Sequence, residues 1–271
     1  MKVSYWGVRG SIPSPGAGTV RYGGDTSCVS VEIDDTILVL DAGTGIRHLG
    51  CSIATTEKEI YCLVSHLHLD HVRGFPFFDP LYQEGKVVTM IPYVKDGANW
   101  YPTSIMDGVH FPRSWKSLPS TIVHAEAPAG KYFESHRFQL KTFEVDHPGG
   151  AVGFFVSDGT SSFAHVPDNE IDKTSDSYER LKANLKGISV LSHDGQWTNK
   201  DSPGKEGWGH SSVSDLCDLA IELNIEKLII FHHDPARTDD DLDEIGREAS
   251  KRLLPNGILC EVAFEGMSLI F

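Results

Sequence analysis

The hexapeptide His66-Leu67-His68-Leu69-Asp70-His71 gathers three imidazoles and a carboxylate directly after the apolar run Ile60 to Val64. In an extended segment His66 and His68 point to one side, and a turn then lets Asp70 and His71 address a point a few ångströms away. Nitrogen and oxygen donors so spaced suit two divalent cations about 3.5–4 Å apart better than one. The second half of the chain repeats the theme of polar chemistry after apolar runs. Phe163 to Val166 leads into Asp168, Ile188 to Leu191 into His193-Asp194, and Leu228 to Phe231 into His232-His233.

The elements that must position these residues are short strands and a few helices. Val29 to Ile33 and Ile37 to Leu40 are β-branched runs, followed by the sharp loop Asp41-Ala42-Gly43-Thr44-Gly45. Val152 to Val156 is a further strand. Ser212-x-x-Asp215 starts a helix in the manner of a capping box, with Leu216, Leu219, Ala220 and Leu223 at helical spacing; Leu242, Ile245, Ala249 and Leu253 mark another. Asp239-Asp240-Asp241 reads as a solvated helix start. Strands with interspersed helices and reactive residues at strand ends predict an α/β sandwich. Residues 73–138 hold 12 of the chain's 26 aromatics with little periodicity, and predict an elaborated insertion or cover within a single domain spanning 1–271. Repeats at a fixed period are absent from the sequence.

Composition narrows the function classes. The 271 residues can bury a self-sufficient core, and 40% hydrophobic with 23% charged residues is ordinary globular usage. The formal charge of −14 argues against a broad basic surface for duplex DNA or long RNA, whose affinity comes largely from Lys and Arg. A small anionic substrate stays compatible, since bound metal reverses the local sign. Five scattered cysteines without a C-x-x-C pair indicate neither a disulfide framework nor a thiolate zinc site. The longest apolar stretches are strand-sized and the opening residues lack a signal-peptide core, so no membrane association and a cytoplasmic location are expected.

The hexapeptide and the motifs that follow it resemble the metallo-β-lactamase superfamily over nearly the whole chain. Asp146-His147-Pro148, Pro167-Asp168-Asn169 and Phe231-His232-His233-Asp234-Pro235 stand where that family has its later ligands. The resemblance implies a four-layer αβ/βα sandwich of two mixed sheets flanked by helices. It assigns His66, His68 and His147 to one metal and Asp70, His71 and His232 to the other, with Asp168 between them and His233 as the rival for the last position. Trp6-Gly7-Val8-Arg9-Gly10-Ser11-Ile12-Pro13, Tyr22-Gly23-Gly24-Asp25-Thr26-Ser27-Cys28 and the Asp41 loop look like the branch of tRNase Z and the PhnP-type cyclic phosphodiesterases. His193-Asp194-Gly195-Gln196 stands in place of His-Glu-Ala-Thr, and Gly209-His210-Ser211-Ser212 in place of a segment containing His-Ser-Thr. In that family the acid of the first orients the histidine of the second, which gives Asp194 and His210 their implied roles.

The expected activity is hydrolysis of a small phosphodiester such as a cyclic nucleotide or cyclic ribose phosphate. A hydroxide between two dications would attack, and His210 would protonate the leaving oxygen. Zinc suits the donors, with manganese or iron as alternatives. The long arm by which tRNase Z grips tRNA is not recognisable, which argues against tRNA as partner; a homodimer is implied by the resemblance. Two alternatives remain: a thioester, lactone or sulfate-ester hydrolase on the same metals, and a non-hydrolytic di-iron oxygen-binding or redox protein. The last branch typically carries Glu where this chain has His68.

Overall fold

The computed structural model describes residues 1–125, 133–134 and 138–271. In chain order the first strands are β1 (Lys2–Gly7), β2 (Cys28–Ile33), β3 (Thr36–Leu40), β4 (Glu59–Leu63), β5 (Val87–Ile91), β6 (Tyr93–Lys95), β7 (Ala98–Trp100) and β8 (Thr121–His124). They are followed by β9 (Phe133–Glu134), β10 (Gln139–Val145), β11 (Ala151–Ser157), β12 (Ser162–Val166), β13 (Val190–Asp194), β14 (Lys227–Phe231), β15 (Leu259–Val262) and β16 (Ser268–Ile270). The helices are α1 (Ile46–Ser52), α2 (Leu69–Val72), α3 (Asp176–Leu185), α4 (Val213–Leu223) and α5 (Asp239–Leu253). The chain divides into two compact units: Met1–Pro13 with Gly23–Ala129 and Phe264–Phe271, and Ser14–Tyr22 with Gly130–Ala263.

The first unit is built on a mixed sheet in the order β16-β1-β2-β3-β4-β5-β8, antiparallel as far as β3 and parallel from β3 onward. β3 reads Thr-Ile-Leu-Val-Leu and is buried at every position, the unbroken apolar run expected of a strand covered on both faces. The stretch 73–138, expected as a cover, supplies β5 and β8 to this sheet. Its residues 126–132 and 135–137 lie outside the described residues.

The second unit carries the order β15-β14-β13-β12-β11-β10-β9, parallel from β12 to β15 and antiparallel on the other side. Leu216, Leu219 and Ala220 of α4 and Leu242, Ile245 and Leu253 of α5 bury with Leu191, Leu228 and Ile230 of the sheet in one core. Each such leucine or isoleucine contributes about 1.5–3 kcal/mol on burial. Ser212 caps α4 by accepting from the Asp215 amide, and Asn224 ends it in a left-handed conformation. A capping box of Thr238 and Asp241 starts α5.

Two local expectations are corrected. β13 begins at Val190 and runs through Asp194, because pairing with β14 continues to Asp194 opposite Phe231; His193 and Asp194 therefore lie within the strand. Asp239 is buried, not solvated: its carboxylate accepts from the Arg21 and Tyr22 amides, and the Arg21 side chain pairs with Asp240 and Asp243.

Candidate metal centre

In the first unit the parallel pair β3 and β4 ends level, Leu40 opposite Leu63, so Asp41 and the Ser65-His66 segment leave the sheet side by side. The Asp41 backbone is left-handed at φ 64°, an uncommon conformation for a residue with a side chain. Its buried carboxylate accepts from the Ser65 amide at 2.7 Å, the Ser65 hydroxyl at 3.0 Å, the Ser27 hydroxyl at 3.2 Å and His71 Nδ1 at 2.8 Å. Since the Ser65 hydroxyl proton goes to Asp41, its oxygen accepts from His66 Nδ1 at 3.0 Å. Asp41 thus fixes the tautomer of His71 directly and that of His66 through Ser65. The Asp70 carboxylate accepts from the Ser11 amide at 2.6 Å and lies 3.3 Å from His71 Nε2. The His66 ring sits 4.4 Å from that of His68 and 4.3 Å from that of His71. His66, Asp70 and His71 are buried, whereas His68 is exposed.

In the second unit the register of β12, β13 and β14 sets Val166 opposite His193 and Asp194 opposite Phe231. Asp168, Asp194 and His232 consequently gather at the carboxyl ends of three parallel strands. His232, left-handed at φ 60°, donates Nδ1–H to Gln196 Oε1 at 3.0 Å and sets Nε2 3.1 Å from Asp168 Oδ1. His147 donates Nδ1–H to the Gly209 carbonyl at 3.0 Å and sets Nε2 3.6 Å from Asp168 Oδ2. A side chain on Gly209, which has φ 84°, would overlap the His147 ring. His210 donates Nδ1–H to Asp194 Oδ2 at 2.8 Å and stacks on His232 at 5.0 Å. Donor atoms of Asp168, His210 and His232 lie within 4.8 Å of one another.

His71, His147 and His232 each commit Nδ1–H to a carboxylate, amide or carbonyl oxygen, so a neutral ring turns the Nε2 lone pair toward a carboxylate oxygen 3.1–3.6 Å away. Two electron-rich atoms at that spacing repel unless an electropositive species lies between them. Burial lowers the pKa of His147, against the opposing charge of Asp168, which disfavours a proton as that species. Imidazoles held at one nitrogen with carboxylates at the other are the donor set of divalent transition metals, and the residues present fit such ions.

The residues assigned to the site from the sequence take part in one of the two arrangements: His66, His68, Asp70 and His71 in the first unit, His147, Asp168, Asp194, His210 and His232 in the second. His233 does not. Its Nε2 donates to the Ala263 carbonyl and its ring meets Tyr22 edge-on. From the sequence Asp41 reads first as an organiser of a glycine-rich turn, with a carboxylate acceptor for the metal-site histidines as the alternative; the structure places it as that acceptor, on His71. Gln196 and Glu170 were missed; the one signal for Glu170 was its place two residues after Asp168. Asn169 joins several of these parts, donating its amide to Asp194 and its side chain to His193 while accepting from Ser211 and the Asp146 amide.

The chain belongs to the β-lactamase superfamily, whose domain model matches residues 36–233. It is a metal-dependent hydrolase of the metallo-β-lactamase fold. A ribonuclease Z from Methanosarcina acetivorans is 21% identical over 98% of this chain and 97% of its own. The metallo-β-lactamase fold protein YhfI from Bacillus subtilis superposes with a TM-score of 0.74 at 14% identity, covering 99% of this chain and 98% of its own. A diphosphatase of the PhnP family gives 0.70 at 16%, covering 100% and 97%. Within the superfamily, the chain is thus similar to a ribonuclease Z in sequence and to a PhnP-family diphosphatase in fold.

Proposed function

We propose that the chain hydrolyses small phosphodiesters, cyclic nucleotides or cyclic ribose phosphates, as one catalytic domain. His66, His68 and His147 would hold one divalent cation and Asp70, His71 and His232 a second, with Asp168 shared. Zinc suits the imidazole-rich set, and manganese and iron suit the same donors. When bound, such a pair supplies Lewis acidity that activates water and offsets phosphate charge. The chain's own residues do the rest. Asp41, Gln196 and the Gly209 carbonyl hold the imidazoles in the liganding tautomer.

The observation that carries the reading is the Asp194–His210 pair beside Asp168 and His232. A protonated His210 keeps Nδ1–H on Asp194, whose charge favours the imidazolium, and offers its Nε2 proton to the departing oxygen. A departing alkoxide needs that proton, whereas the thiolate released from a thioester leaves readily without one. The net charge of −14 supports a small substrate over tRNA or duplex DNA, the unpaired cysteines support a cytoplasmic location, and the family resemblance supports a homodimer. No helix among the described residues is long and apolar enough to cross a membrane.

The test is a screen of metal-replete protein against bis(4-nitrophenyl) phosphate, cyclic nucleotides, a thioester and a lactone. Phosphodiester turnover should exceed the others. His210→Ala should cost about 10²–10⁴-fold on a cyclic nucleotide, whose leaving group is a poor one, and far less on the nitrophenyl ester, with metal content retained. Preference for the thioester or lactone, or equal losses on both phosphodiesters, would overturn the reading.

A further inference from the structure

The loop before His210 holds a tryptophan that the proposed chemistry does not use. Gly207 and Gly209 donate their amides to the two oxygens of a single carboxylate, Glu170, each at 2.8 Å. Trp208 lies between those two clamped amides, so its backbone is fixed on both sides. Its indole is nonetheless 59% exposed. Edge-on contact at 6.3 Å joins it to Trp197, which is only 4% exposed and which meets the His210 ring edge-on at 5.8 Å. Lys205 places its ammonium 3.4 Å from the centroid of the Trp197 ring. The second unit therefore presents a row of rings, Trp208 to Trp197 to His210, with a cation beside it and its outermost member facing solvent on a braced loop.

An exposed indole gives up the burial that would repay folding, while bracing gives it a fixed π-face. A planar group is what such a face accepts, and proximity to the proton donor means that the group belongs to a molecule reacting there. We infer that Trp208 is a stacking platform for a nucleobase and thus selects base-bearing over base-free phosphodiesters, with Lys205 drawing in the anion. The inference rests on the phosphodiesterase reading and specifies its substrate class. Glu170 is the positioning residue of the platform.

The test compares adenosine 2′,3′-cyclic phosphate with ribose 2,3-cyclic phosphate, which present the same ring phosphodiester with and without a base. In Trp208→Ala the ratio of kcat/KM for the two should fall about tenfold, chiefly through KM of the nucleotide, while Trp208→Phe should stay within about threefold of the parent. Equilibrium dialysis of metal-loaded protein with adenosine 5′-monophosphate and ribose 5-phosphate reads the same preference without turnover. Its collapse in Trp208→Ala supports the platform even if neither cyclic phosphate is hydrolysed, in which case only the phosphodiesterase reading falls. Ratios unchanged in Trp208→Ala overturn the inference. Unchanged ratios with a smaller sedimenting species would instead assign the indole to an interface between copies.

Discussion

Four hydrogen bonds converge on the Asp41 carboxylate, and two of them, one from His71 and one from the Ser65 hydroxyl that in turn accepts from His66, decide which nitrogens of those rings face outward. In Asp41→Asn one oxygen would become a donor opposite groups that also donate, so one ring must turn over or a buried polar atom must lose its partner. Metal affinity should fall about 10–100-fold while far-ultraviolet circular dichroism stays native, as measured by chelator competition. Affinity equal to the parent's would show that Asp41 only shapes its turn. The reason this residue was hard to find in the sequence is its reach: its partners lie 24 and 30 positions away, and a glycine-rich loop gives an acid an adequate local role. The histidine motif was legible because its donors are adjacent.

Strand register, not any single side chain, gathers Asp168, Asp194 and His232. The apolar runs predicted β12 and β14 well; they set β13 too early because Ile188 extends the apolar pattern beyond the paired segment. β5 and β8 were hidden among the aromatics of 73–138, since β8 alternates between exposed and partly buried positions and carries no apolar run. Burial in β13 lowers the pKa of His193, which donates Nδ1–H to the Asp194 carbonyl. The folded state therefore prefers the neutral ring. Below about pH 6.5 the unfolded chain takes up the proton first, so this contribution to stability is present above that pH and is lost as pH falls toward the lowered folded value. Thermal melts of metal-free protein from pH 7.5 to 5.5 should show Tm falling, and His193→Asn should flatten the slope. An unchanged slope in the variant would assign the acid sensitivity to other groups.

At the scale of the whole molecule, a charge of −14 repels an anionic substrate at long range. Salt relaxes that repulsion as the screening length shrinks from about 30 Å at 0.01 M to about 8 Å at 0.15 M. Hence kcat/KM for a cyclic nucleotide should rise a few-fold over that range. An enzyme gripping a long polyanion through basic side chains would show a steep fall instead, and such a fall here would restore tRNA as a candidate. Composition made this sign legible, and the ordered motifs made the superfamily legible. The division into two units was not, because each unit borrows a short piece from a remote part of the chain.

That borrowing has a bearing on biosynthesis. Residues 14–22 bring Arg21 to the acidic first turn of α5, and the edge of β1 is covered by β16, whose strand closes at Ile270. While the polypeptide emerges from the ribosome, the first sheet must wait with an open hydrogen-bonding edge on β1 until β16, more than 260 positions later, has been added. Nascent chains thus carry a sticky border from the completion of β1 until β16 has been made, the situation in which a holding chaperone is of most use.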